Sequence, residues 1–81
     1  MNEVDAIRID ARGRPCPVPV IELATAMRAA SIGALIELLA DDPAARVDVP
    51  VWCRMQRQLL VSQDQDGSLW TFVVEKVGEV R

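Results

Sequence analysis

The 81-residue sequence predicts an α/β two-layer sandwich, β-α-β-α-β-β, with a four-stranded mixed sheet and two helices on one face. Three observations predict it. Apolar residues alternate with period two near the start, switch to helical spacing after a proline-rich turn, and end around an Asp-Gly hairpin signal. The length suits a single domain over residues 1–81, since one core usually takes roughly 50–200 residues. Hydrophobic residues make up 51% and charged residues 26%, which supports a packed core rather than a disordered tail.

Over residues 5–11, Ile7, Ile9 and Ala11 face one way and Ala6, Arg8 and Asp10 the other, a strand that Gly13 breaks. From Pro17, Val20, Leu23, Ala24, Met27 and Ala30 fall on one helical face. Pro17 and Pro19 fit that start, because first-turn residues have no intrahelical partner for an N–H. Glu22 early and Arg28 late suit the helix dipole, and Gly33 is expected as a left-handed cap. Leu35–Leu39 is a nearly continuous apolar run, as in a strand well inside a sheet.

Asp41-Asp42-Pro43 and Asp48-Val49-Pro50 are two helix-start signals. They read as one short turn and a restart, with the main helix over about Val49–Arg57 and Val51 or Trp52, Met55 and Leu59 facing the core. Residues 58–63 and 68–77 read as strands joined through Asp64-Gln65-Asp66-Gly67. The first strand-helix-strand unit should cross over right-handedly into a parallel pair, and the final hairpin must be antiparallel. Ile7, Ile9, Ile36, Leu38, Trp70, Phe72 and Val74 are assigned to the helix-facing side of the sheet. Leu35, Leu39, Leu69 and Val73 fall on the open side among Ala6, Arg8, Glu37, Thr71 and Glu75. That mixed face is expected either to serve weak self-association or partner docking, or to carry ordinary surface leucines.

The net charge of −3 argues against direct nucleic-acid binding, which usually needs a basic patch. The longest charge-free runs, Ala29–Ile36 and Gly67–Val74, fall well short of the about 18 apolar residues that a membrane span requires. The acidic start Met1–Asp5 is unlike a signal peptide, so a cytoplasmic location is expected. With no His and two Cys, Ser-His and Cys-His dyads and most structural zinc sites are excluded, and neither metal nor cofactor is expected. Asp41, Asp42 and Asp48 read as helix caps rather than a cation site, and Trp70 and Phe72 as core rather than a base-stacking platform. The remaining chemistry is that of a thiol.

Cys16 follows a strand and a Gly turn and is expected at the N-cap or first turn of the first helix. Unpaired N–H groups and the positive dipole end would favour its thiolate there, with Arg12 and Arg14 adding to the effect. Gly13 allows the turn, and Pro15, Pro17 and Pro19 stiffen it. The competing reading is a small buried hydrophobe, as free Cys often is. Cys53 is expected to be a packed, reduced thiol without a catalytic part.

Cys16-Pro17-Val18-Pro19 after the Asp10–Gly13 turn resembles the TusA/SirA-like sulfur-carrier family. Further matches are Pro19-Val20-Ile21, Gly33, Ala40-Asp41-Asp42-Pro43-Ala44, Asp48-Val49-Pro50 and Trp52-Cys53, in order from about Asp10 to Lys76. The resemblance implies a two-layer α/β fold and a Cys16 persulfide, taken from a cysteine desulfurase or a rhodanese-like donor and passed to an acceptor protein. It leaves open whether the chain is an enzyme (a sulfurtransferase) or a carrier, and whether it serves transfer-RNA thiolation, molybdenum-cofactor synthesis or sulfur oxidation. Two departures stand out. Arg57-Gln58 replaces a usual Gly or Glu followed by His, and Ala24-Thr25-Ala26 stands where relatives carry Lys or Arg. A non-catalytic interaction module and a thiol redox sensor are the alternatives, the second usually wanting a nearby resolving Cys.

Overall fold

The computed structural model describes residues 6–80, so the acidic start Met1–Asp5, with the first residue of the expected opening strand, lies outside the described residues. The chain forms β1 (Ala6–Asp10), α1 (Val18–Ala29), β2 (Leu35–Ala40), α2 (Ala45–Gln56), β3 (Leu59–Asp66) and β4 (Leu69–Glu75). Strand order is β1-β2-β4-β3, with β1 parallel to β2 and β4 antiparallel to both neighbours. This is the mixed α+β arrangement the sequence predicts.

Period two decides the core. Ile36 lies opposite Val74 and Leu38 opposite Phe72, and all four are sealed beneath the helices. Leu23 and Met27 come down from α1, and Val49 and Cys53 from α2. Ile7, Ile9 and Trp70 pack at the margin of this cluster. Each large side chain so buried contributes roughly 1.5–3 kcal/mol of transfer free energy.

The second helix departs from expectation. It starts at Ala45 rather than near Val49, and Pro50 lies inside it. Pro50 removes a single backbone bond in the early turns, which the packing around it outweighs. The earlier start fixes the buried stripe at Ala45, Val49 and Cys53, one helical repeat apart. Trp52 is half-buried, but Val51, Met55 and Leu59 turn to solvent, with Met55 69% exposed.

Two turns differ as well. β3 continues through Asp66, so the hairpin loop is Gly67-Ser68, with φ of +61° at Gly67 and no positive φ at Ser68. Glycine first in a two-residue loop is the type II′ pattern, whose twist matches the strands. Gly33 has φ of +94° but lies beyond the extended C-cap Ala30, in a turn where its N–H donates to the Lys76 carbonyl at 2.7 Å. The end of α1 is closed instead by the buried Lys76, whose Nζ donates to the Ala30 carbonyl at 2.6 Å. On the open face, Leu39 is only 6% exposed, and the Arg8–Glu37 ion pair at 2.7 Å lies beside Leu35 and Val73.

The α2–β3 junction yields two stability predictions. Arg57 ends α2 in the left-handed region, φ 57°, although it carries a Cβ. Arg57→Gly should stabilise the fold by about 0.5–1 kcal/mol, the relieved strain exceeding the entropy that glycine loses on folding. Gln58 is buried, donates to the Gln56 and Gly78 carbonyls, and accepts from the Val77 N–H at 2.9 Å. Gln58→Ala should cost about 1–3 kcal/mol by leaving these groups unpaired. Urea midpoints of the two variants should move in opposite directions.

Candidate functional site

The site grows from the end of β1. Ala11 still bonds to β2, its N–H donating to the Leu39 carbonyl at 2.8 Å. The chain then turns at Gly13, where φ is +79°, a conformation that a residue without a Cβ adopts freely. Val18 donates to the Pro15 carbonyl at 3.0 Å, closing a tight turn around Cys16. The Cys16–Pro17 peptide is cis, and Pro17 is the N-cap of α1. Cys16 thus stands just ahead of the helix rather than in its first turn. It is half-buried, while Pro15 and Pro17 are exposed and Pro19 is sealed into the core beneath them.

Carboxylates from the β2–α2 loop hold this turn in place. Both oxygens of Asp41 accept from the Gly13 N–H, at 2.9 and 3.1 Å. Asp42 Oδ2 accepts from the Cys16 N–H at 2.9 Å, while its Oδ1 accepts from Ala44 at the start of α2. Asp42 therefore does part of the expected capping, but Asp41 does none. The N-cap residue Ala44 offers no side-chain bond. Asp48, in the first turn of α2, acts on the Cys16 thiol through its negative charge. Sequence reasoning missed these three acids as site residues. Asp-Asp-Pro signals a cap equally well whether or not a carboxylate also reaches across to another loop.

The electrostatics reverse the expected activation. Arg12 is turned onto Asp10, donating at 2.8 and 2.7 Å, and this pairing pulls the Asp10 carboxyl down to about 2. Arg14 pairs with Glu22 at 3.2 Å, so Glu22 serves a loop contact rather than the helix start. Neither guanidinium is committed to the thiol. Burial, then the charges of Asp42 and Asp48, push the Cys16 thiol from 9.0 up to about 11. The Cys16 amide, a group that would stabilise a thiolate, is already taken by Asp42. Cys53 sits 2% exposed in the core, and burial lifts it to about 11 as well. Among the described residues, no three acidic or sulfur ligands converge as a metal site would require.

A pH prediction follows from the raised Cys16 value. At neutral pH the thiolate fraction should be about a hundred-fold below that of an ordinary cysteine, since each pKa unit is a factor of ten. Alkylation of Cys16, read by mass spectrometry in a Cys53→Ala background, should rise about ten-fold per pH unit until close to pH 11. Asp48→Asn should move that profile toward lower pH. A plateau at or below neutral pH would restore the activated thiolate.

Residues 7–76 match the family described as Sulfurtransferase TusA. An Archaeoglobus fulgidus protein provisionally named as a sulfur carrier is 45% identical over 83 aligned positions, covering all of both chains. The sulfur carrier protein TusA of Pseudomonas aeruginosa is 35% identical, over 93% of this chain and 94% of its own. The crystal structure of a SirA-like protein from Desulfitobacterium hafniense superposes with a TM-score of 0.78, over 89% of this chain and 99% of that one. At 22% identity that likeness concerns the fold. With the family pattern spanning β1 to the end of β4 and full-length relatives well above 30% identity, the chain belongs to the TusA family of sulfurtransferases.

Proposed function

We propose that this protein is a cytoplasmic sulfur carrier that holds sulfane sulfur as a persulfide on Cys16. The donor is a cysteine desulfurase or a rhodanese-like protein, and the acceptor is another protein. In loading, Cys16 sulfur attacks the terminal sulfur of the donor persulfide. The donor S–S bond breaks, the donor cysteine leaves as a thiolate, and the Cys16 thiol proton is released to solvent or to that thiolate. In unloading, an acceptor nucleophile attacks the terminal sulfur and Cys16 leaves with the S–S electron pair, to be reprotonated. No external oxidant or reductant is consumed.

The observation that carries this reading is the rigid presentation of Cys16, half-exposed on a turn whose backbone is pinned by Asp42, in a chain whose other thiol is sealed in the core. Family membership and relatives named as sulfur carriers support the same assignment. The redox-sensor alternative loses ground on two counts. Sensor cysteines are low in pKa and stand near a resolving partner, whereas Cys16 is raised and Cys53 is inaccessible. The interaction-module alternative is consistent with a raised thiol, and a direct loading measurement separates it from the carrier.

Incubation with a cysteine desulfurase and cysteine, followed by intact-mass analysis, should add one sulfur atom to the wild type and none to Cys16→Ser. Cys53→Ala should load almost fully, because its thiol lies among Ala45, Val49 and other core residues. Sulfur gained by a folded Cys16→Ser protein would refute the assignment, and an unloaded wild type would favour the interaction module.

A further inference from the structure

The two edges of the sheet are treated differently. Along β3, a register shift between Leu60 and Ser62 and the acidic Asp64 and Asp66 blunt the edge against pairing. β1 has an unbroken register with β2 and contains neither proline nor bulge. Because the Ala11 N–H reaches β2, alternation turns the backbone groups of Ile7 and Ile9 toward β2 as well. Those of Ala6, Arg8 and Asp10 point to the free side. Beside this edge lies a groove of about 340 Å³ between β1 and α1, lined by Ile9, Ile21, Glu22, Thr25, Ala26 and Ala29. Its wall on α1 is built mainly of small side chains, and Ile21 is 56% exposed. One charged group breaks the apolar lining. Glu22 Oε1 pairs with Arg14, but Oε2 is buried and has no hydrogen-bond partner.

We propose that β1 and this groove receive an extended segment of a partner protein, added as a fifth strand, with an apolar side chain in the groove and a Lys or Arg on Glu22. The strand's backbone pairs with Ala6, Arg8 and Asp10. Its inward side chains, two residues apart, meet the groove and the partly exposed Glu22 carboxylate. Charge complementarity selects this occupant over a second copy of the chain. Two-fold pairing of β1 with β1 would lay α1 beside α1 and bring a second Glu22 up to the first, with each Arg14 already held by its own Glu22. The segment's location also matters. β1 leads directly through residues 11–15 to Cys16, so the added strand lies alongside the loop that bears the thiol. The inference goes beyond the sulfur-carrier reading and stands without it.

The test is selection of displayed random dodecapeptides on the full-length protein, followed by affinity measurement on variants. Selected peptides should share an apolar residue and a Lys or Arg two positions apart. Glu22→Gln and Ala29→Glu should each weaken them at least ten-fold, the latter by placing bulk and like charge on an exposed wall position. Arg8→Pro should abolish binding by removing the central edge N–H, a substitution an edge strand tolerates. Amide exchange at Ala6, Arg8 and Asp10 should slow on binding. Peptides with helical spacing, affinities indifferent to Glu22→Gln and Ala29→Glu, or failure to select any binder would overturn the proposal. A dimer in sedimentation without peptide would also overturn it, in favour of self-pairing.

Discussion

Two carboxylates on the β2–α2 loop hold the loop that bears Cys16. Asp41 binds the Gly13 amide and Asp42 binds the Cys16 amide, across sequence separations of 28 and 26 residues. These contacts exist because β1 and β2 run parallel in register, Asp10 beside Leu39, so that their C-terminal loops emerge at the same end of the sheet. Parallel strands place loops together in this way whatever their sequence distance, which is why sites in α/β sheets gather beyond the carboxyl ends of strands. The buried central strands β2 and β4 fix that register through Ile36, Leu38, Phe72 and Val74. The position of the thiol is thus a consequence of how the core packs. Asp42 also joins the core to the chemistry, since one side chain orients both Cys16 and the start of α2.

Local periodicity made much of this fold legible. The alternation of Ile7 and Ile9, the helical spacing of Leu23 and Met27, and Ile36, Leu38 and Leu39 of the apolar run each report burial directly, and each is buried or packed at the core margin in the structure. The start of α2 was not legible, because Asp42-Pro43 and Asp48-Val49-Pro50 both signal a helix start and only tertiary contact distinguishes a cap from a clamp. Asp41 satisfies Gly13 rather than its own helix, and the helix begins where Ala45 and Val49 can reach the core. The environment of Cys16 was legible in place and misread in sign. Adjacent arginines suggest a stabilised thiolate, yet side chains pair by reach rather than by sequence proximity. Arg12 finds Asp10 and Arg14 finds Glu22, leaving Asp42 and Asp48 to dominate around the sulfur.

The departures from the family pattern also acquire physical roles. Gln58, where relatives usually carry His, is a buried hub that ties the segment after β4 to the end of α2. Preceding it, Arg57 occupies a left-handed position where glycine would be relaxed. Thr25 and Ala26, in the stretch where the family resemblance implies basic side chains, form part of the wall of the groove beside β1.

A carrier thiol meets opposing demands. To take sulfur it must attack as a thiolate, while to keep sulfur it must be a poor leaving group, and a high pKa serves the second at the expense of the first. The resting chain settles on the second. Burial, Asp42 and Asp48 hold Cys16 near 11, which also shields an unloaded thiol from oxidation, because oxidants prefer the thiolate. Asp42 cannot be exchanged for a cation without losing the amide contact that fixes the turn, so positioning and suppression of the thiolate come from one group. Arg12 and Arg14, the cations nearest in sequence, are already paired. Under the carrier reading proposed above, a cationic group brought up by a partner would favour the Cys16 thiolate, as cationic neighbours do for any cysteine.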